Sequence, residues 1–193
     1  MRTYERCLCI GIRCRTGGSA GGCAVERDAA RKGGGRPTGG STPAEATRRY
    51  VEGLASVAPH ALESGVTILV EALPRAQCDV VLTLDEAAGI VREIGSPAIR
   101  TMFDTHNAVD EVEPHAALVE KYFDLIRHVH VNEMDGGHPG TDTYDFRPVL
   151  DTLRRRNYRG WVSLEAFDFK PGAERIANDS LRYLEARIAE LPS

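Results

Sequence analysis

The sequence has no excess of positive charge, and that absence removes one class of partner at the outset. Lys and Arg number 24 against 28 Asp and Glu, a formal net charge of -4. Neither nucleic acid nor an anionic membrane surface is therefore expected as a partner. No apolar run approaches the ~20 residues that span a bilayer, and the N-terminus lacks the apolar stretch of a secretory signal, so a cytoplasmic location is the default expectation. No G-x-G-x-x-G follows any predicted strand, which disfavours a dinucleotide-binding sheet. No Gly-rich phosphate loop is evident either, which mildly favours an unphosphorylated small-molecule substrate while leaving a phosphorylated one open. Beyond residue 40 only one cysteine remains, Cys78.

Residues 1–40 have a different texture. They hold eight Lys and Arg against three Asp and Glu, ten of the 19 glycines, and four of the five cysteines: Cys7, Cys9, Cys14 and Cys23. Such a stretch can bury little apolar surface. Its C-x-C-x4-C-x8-C spacing lacks the C-x2-C pairs of zinc sites, and a disulfide framework would need an oxidising compartment. The segment is read as a Gly/Arg/Cys-rich leader, disordered or non-native, ahead of a domain over 41–193. Its one run with strand character, 8–12, is short.

From Gly40 onward the chain is strongly periodic. Ser41-Thr42-Pro43-Ala44-Glu45 offers a hydroxyl cap, a first-turn proline and an acidic residue, the signature of a helix start. Apolar residues then recur at helical spacing until Gly65. A β-branched apolar run, 66–71, reads as a buried strand. The alternation repeats: helix near Leu84–Ile94, strand near Ile99–Asp104, helix over 114–126, strand over 127–132, helix over 146–155, strand over 161–165 and a final helix over 172–191. Regular strand–helix alternation predicts an α/β fold of βαβ units around a parallel sheet.

The informative feature is how each strand ends. The four read ILVEAL, RTMFDTH, RHVHVNE and WVSLEAF, and each places a potential metal ligand at its C-terminal edge: Glu71, Asp104, His130 and Glu165. In a parallel α/β barrel these ends meet on one face. The intervals of 33, 26 and 35 residues each match one strand–helix–strand repeat. A lone carboxylate at a strand end is more often a cap than a ligand, and of His128 and His130, which share a strand face, one is expected to be a core histidine. Three carboxylates and an imidazole form an oxygen-rich set that suits Mn²⁺ or Mg²⁺, with Co²⁺ or Zn²⁺ as alternatives.

On these residues, with Asp104-Thr105-His106, the H-V-H-V-N-E of 128–133, Pro139-Gly140, Tyr144-Asp145-Phe146 and the Y-R-G-W-V-S-L-E of 158–165, the chain over about 40–193 resembles the sugar isomerase/epimerase family with the xylose-isomerase-like (β/α)8 TIM barrel. That family includes ketose 3-epimerases and hydroxypyruvate isomerases. The resemblance implies that the four strands are the fifth to eighth of a barrel, that Glu71, Asp104, His130 and Glu165 hold the metal, and that Glu71 and Glu165 are the catalytic acid and base. The implied reaction removes a proton beside a carbonyl of a small sugar or hydroxy-ketone, through an enediolate. His106, Asn107, Arg75, Gln77, Glu133 and His138 are the implied substrate-contacting residues, with Glu133 also read as support for the ligands. Gln77 stands where the epimerases tend to have a second Glu, and Gly136 where they commonly have an arginine.

A full barrel of this type takes about 250 residues, so the first three or four strands are expected to be missing and the chain to be a truncated version of a longer enzyme. The alternative is a half-barrel that pairs with another copy to hide its edges, which makes a homo-oligomer the comfortable state. Two other functions stay open: a non-catalytic remnant or assembly module, and a metal-dependent inosose-type dehydratase. DNA-repair endonucleases share the barrel, but their three-zinc site needs more histidines than these strands offer.

Overall fold

A computed structural model describes residues 39–192 together with Gly11–Ile12 and Pro37. The expected 1–40 leader and its cysteines lie almost wholly outside the described residues. Among the described residues five helices and five strands follow in the order β1 (Gly11–Ile12), α1 (Pro43–Glu63), β2 (Ile68–Val70), α2 (Leu84–Ile94), β3 (Ile99–Asp104), α3 (His115–Tyr122), β4 (Ile126–Val131), α4 (Arg147–Arg155), β5 (Trp161–Leu164) and α5 (Ala173–Ala189). A one-turn 3-10 helix, Asn107–Asp110, interrupts the path from β3 to α3.

The strands form one sheet in the order β1-β5-β4-β3-β2. β2 to β5 are parallel neighbours in chain order, as the βαβ reading expects. The two-residue β1 pairs antiparallel with β5, Gly11 against Ser163 and Ile12 against Val162. Asp104 of β3 lies opposite His130 of β4, and His130 opposite Ser163 of β5.

Side-chain alternation sorts the sheet's two faces. Phe103, Val129, Val131 and Val162 enter the main core with Leu118, Val119 and Tyr122 of α3, Val149, Leu150 and Leu153 of α4, and Leu184 of α5. Val70 and Ile99 join Ala87, Ile90 and Val91 of α2 and Ala58 of α1 in a second cluster. Met102, Asp104, His128, His130 and Ser163 occupy the opposite face. Both histidines are buried, and His128 turns to the neighbouring strand, with Nε2 2.9 Å from Ser163 Oγ.

Local chemistry fixes the helix ends. Thr42 forms a reciprocal capping box with Glu45: the Glu45 N–H donates to Thr42 Oγ1 at 3.3 Å and the Thr42 N–H to Glu45 Oε2 at 2.8 Å. Thr42→Ala is expected to lower unfolding free energy by about 1 kcal/mol, measured by urea denaturation; an unchanged midpoint would mean that α1's first turn contributes nothing to cooperative folding. Thr83 caps α2, and the Leu84 N–H donates to Glu111 Oε1 at 2.6 Å. The helix expected over 114–126 stops at Tyr122, and Ile126 opens β4 instead. Its periodic spacing continues only because Leu125 and Ile126 return to the core through a turn, with Leu125 N–H donating to Tyr122 O. Among the described residues no helix is long and apolar enough to cross a membrane.

Candidate metal centre

Glu71, Asp104, His130 and Glu165 come from the C-terminal edges of four neighbouring parallel strands. Each offers one ligand atom, and these four atoms all lie within 4.8 Å of one another. Asp104 and His130 are buried, whereas Glu71 and Glu165 are partly open to solvent. His130 Nδ1 stands 3.1 Å from Glu165 Oε2 and 3.3 Å from Asp104 Oδ2.

Burial works against ionising Asp104, but the His130 ring and the Asn107 amide outweigh it and hold its pKa below the usual carboxylate value. For Glu165 burial wins and the pKa rises, although His130 opposes it. One carboxylate thus keeps its charge while the other is inclined to hold a proton. Asp104 Oδ2 is buried and makes no hydrogen bond; its nearest positive candidate is the His130 ring at 3.3 Å, charged only if protonated. A buried carboxylate oxygen left in that state costs free energy. A divalent cation among the four atoms would satisfy it, and oxygen-rich donors with one imidazole suit such an ion. The residues fit the group.

Asn107 ties the set together. Its side-chain N–H donates to Glu71 Oε1 at 2.8 Å and its backbone N–H to Asp104 Oδ1 at 2.8 Å. The structure therefore places Asn107 as an orienter of two carboxylates. Next to it, Thr105 and Asn132 clasp β3 to β4. The Asn132 N–H donates to Thr105 Oγ1 at 2.9 Å, and the Thr105 hydroxyl lies 2.6 Å from Asn132 O. Asn132 Oδ1 accepts the His106 N–H at 2.9 Å. Neither Thr105 nor Asn132 was expected at the site; Asn132's place two residues after His130, on the same strand face, was the available signal.

The other expected contacts divide. His106 reaches the rim, but its Nδ1 is engaged 2.9 Å from Met134 O and its ring packs against Phe167 at 5.2 Å between centroids. Glu133 is fully buried, with Oε1 accepting the Gly140 N–H at 2.7 Å and Oε2 the Tyr144 N–H at 3.1 Å. Its carboxylate pins the β4–α4 loop. His138 is buried in that same loop, where its carbonyl accepts the Thr141 hydroxyl at 2.7 Å. Arg75 and Gln77 are exposed on the turn after β2, with the Arg75 backbone N–H donating to Asp110 Oδ2 at 2.7 Å. The structure does not gather these two side chains with the four. At Gly136 φ is +84° and an added Cβ would meet the Phe167 ring at 2.9 Å, so the Phe167 ring fills the space there and no longer side chain fits without displacing it.

Comparison with known proteins agrees with this architecture. D-psicose 3-epimerase of Agrobacterium fabrum is 28% identical over 119 residues, covering 62% of this chain and 41% of the relative. D-psicose 3-epimerase of Enterocloster bolteae is 30% identical over 124 residues, covering 64% of this chain and 41% of the relative. The chain thus spans less than half the length of these relatives. The crystal structure of 3-keto-D-glucoside 4-epimerase from E. coli superposes with a TM-score of 0.72 at 24% identity, over 77% of this chain and 57% of that one, a likeness of fold. A family profile described as "Xylose isomerase-like TIM barrel" matches residues 21–187. With four consecutive parallel strands that carry their polar ends to one rim, the chain belongs to the xylose isomerase-like TIM barrel family.

Proposed function

We propose that Glu71, Asp104, His130 and Glu165 hold a divalent cation, Mn²⁺ or Mg²⁺, and that the protein epimerises or isomerises a small unphosphorylated sugar or hydroxy-ketone. The observation that carries this reading is the convergence of the four ligand atoms within 4.8 Å; the 3-epimerase relatives support the substrate class. The chemistry supplied by a bound divalent cation is stabilisation of the negative charge that builds on a substrate carbonyl oxygen as the neighbouring carbon loses its proton. Glu71 and Glu165 leave the row of four parallel strands at its two flanks, β2 and β5, so they address a bound sugar from opposite sides. One carboxylate removes the proton; the C–H electron pair becomes the carbon–carbon double bond of the enediolate. The second carboxylate returns a proton to the other face and inverts that carbon. Return by the first carboxylate to the adjacent carbon would interconvert aldose and ketose.

Metal binding is tested by thermal unfolding with EDTA and with excess Mn²⁺. At 100 times its Kd the ion should add about 2.7 kcal/mol and raise the midpoint by several degrees; a transition indifferent to Mn²⁺ would sink the metal reading. Turnover is tested with D-psicose in D2O by NMR. Deuterium at carbon 3 with formation of the 3-epimer supports an epimerase, deuterium at carbon 2 of an aldose product supports an isomerase, and loss of water would move the assignment to a dehydratase.

A further inference from the structure

We propose that His115 is a positioning residue for the metal-binding group, tethering the 3-10 turn beneath Glu71 and Asp104 to the β4–α4 loop; this rests on reading Glu71, Asp104, His130 and Glu165 as the ligand set. His115 opens α3 and lies in none of the strands that supply the four. Its Nε2 stands 3.0 Å from the carbonyl of Ala108, and its Nδ1 stands 2.7 Å from the Tyr144 hydroxyl. Ala108 follows Asn107 in the turn, and Asn107 holds both Glu71 and Asp104 at 2.8 Å. Tyr144 belongs to the loop that Glu133 pins, since its N–H donates to Glu133 Oε2 at 3.1 Å.

A carbonyl can only accept, so Nε2 must carry the hydrogen. In the neutral ring Nδ1 is then a bare acceptor, and the Tyr144 O–H donates to it. Burial pushes the His115 pKa below its ordinary value, which keeps the ring neutral at physiological pH. Packing fixes the ring's plane: Phe103 meets it edge-on at 5.5 Å and Tyr144 lies at 5.4 Å. The imidazole therefore joins two segments that no backbone ladder connects, the one orienting the ligands and the one roofing the rim. Outer groups that orient ligands typically change metal affinity by about 10–100-fold when removed.

The experiment uses the full chain and three readouts. In metal-free wild-type protein, ¹⁵N NMR of the His115 ring should show Nε2 protonated and Nδ1 bare; the opposite tautomer overturns the proposal without any variant being made. In His115→Phe, which keeps the ring volume and removes both hydrogen bonds, the Asn107 amide should exchange with solvent about tenfold faster or more, whereas His115→Gln, which can still donate to Ala108 O, should stay close to wild type. Equal protection in all three proteins overturns the tether. Titration with Mn²⁺ should then give a Kd about tenfold weaker for His115→Phe and little changed for His115→Gln; a Kd unchanged in His115→Phe overturns the positioning role. A wild type that binds no Mn²⁺ would remove the ligand reading and with it any positioning of a metal, while the exchange rates still decide whether the tether exists.

Discussion

Glu165→Gln is expected to abolish the rise of the unfolding midpoint with Mn²⁺ and to slow proton exchange into D-psicose by about 10²–10⁴-fold, the range by which a positioned acid or base accelerates proton transfer. The amide matches the carboxylate in shape but brings no charge and cannot hold or deliver the proton. It can still accept from the His130 ring, 3.1 Å away in the parent protein, so the fold should survive and circular dichroism should match wild type. Retained Mn²⁺ binding with lost exchange would make Glu165 an acid–base group only; retained exchange would remove it from the chemistry. A pH dependence follows from the same residue. Burial raises the Glu165 pKa, so protons compete with the cation for this oxygen more strongly than at an ordinary glutamate. Binding competes with that proton, and the apparent Mn²⁺ affinity should rise with pH as Glu165 deprotonates. In metal-free protein the sign is the reverse: a carboxylate with raised folded pKa favours the folded state below the unfolded value, and that contribution is lost as pH climbs through the folded pKa.

Phe146→Ala should give the largest loss of stability, about 3–5 kcal/mol, with a midpoint lower by roughly 6–20 °C. Its side chain is fully buried. It packs edge-on against Tyr144 at 4.6 Å and Tyr183 at 6.0 Å, and its carbonyl accepts the Leu150 N–H at 2.9 Å at the start of α4. Removing it opens a cavity between the β4–α4 loop and α5. Calorimetry would test this, and a loss under about 1 kcal/mol would mean the loop collapses freely into the space.

Much of this architecture was legible because the relevant signals are local. Four β-branched runs end in Glu71, Asp104, His130 and Glu165, and position along the strand, not strand face, separates His130 at the rim from His128 against Ser163. Turns and polar networks were less legible. Leu125 and Ile126 extend an apolar helical spacing, yet they belong to the return into β4. Glu133 reads as a polar residue beside a ligand, but only three-dimensional closure of the loop brings the amides of Gly140 and Tyr144 to it. Arg75 and Gln77 follow Glu71 closely in sequence and still face solvent, because proximity along a turn does not set the direction of a side chain. His115 carried no sequence signal, since both its partners are non-local.

In a flat sheet the outer two of four adjacent strands would run roughly 14 Å apart at ~4.8 Å per strand. Here β2 and β5, the outer two of the four parallel strands, contribute ligand atoms to a space only 4.8 Å across. The reach of the two glutamate side chains and the twist of the sheet together close that distance. Were a cation held by these four atoms, whatever spreads the strands would loosen its seat, and the ion would resist that spread as a keystone resists the spread of an arch. Ion affinity would then be a gauge of the spacing of the strands, readable far from wherever the sheet was disturbed.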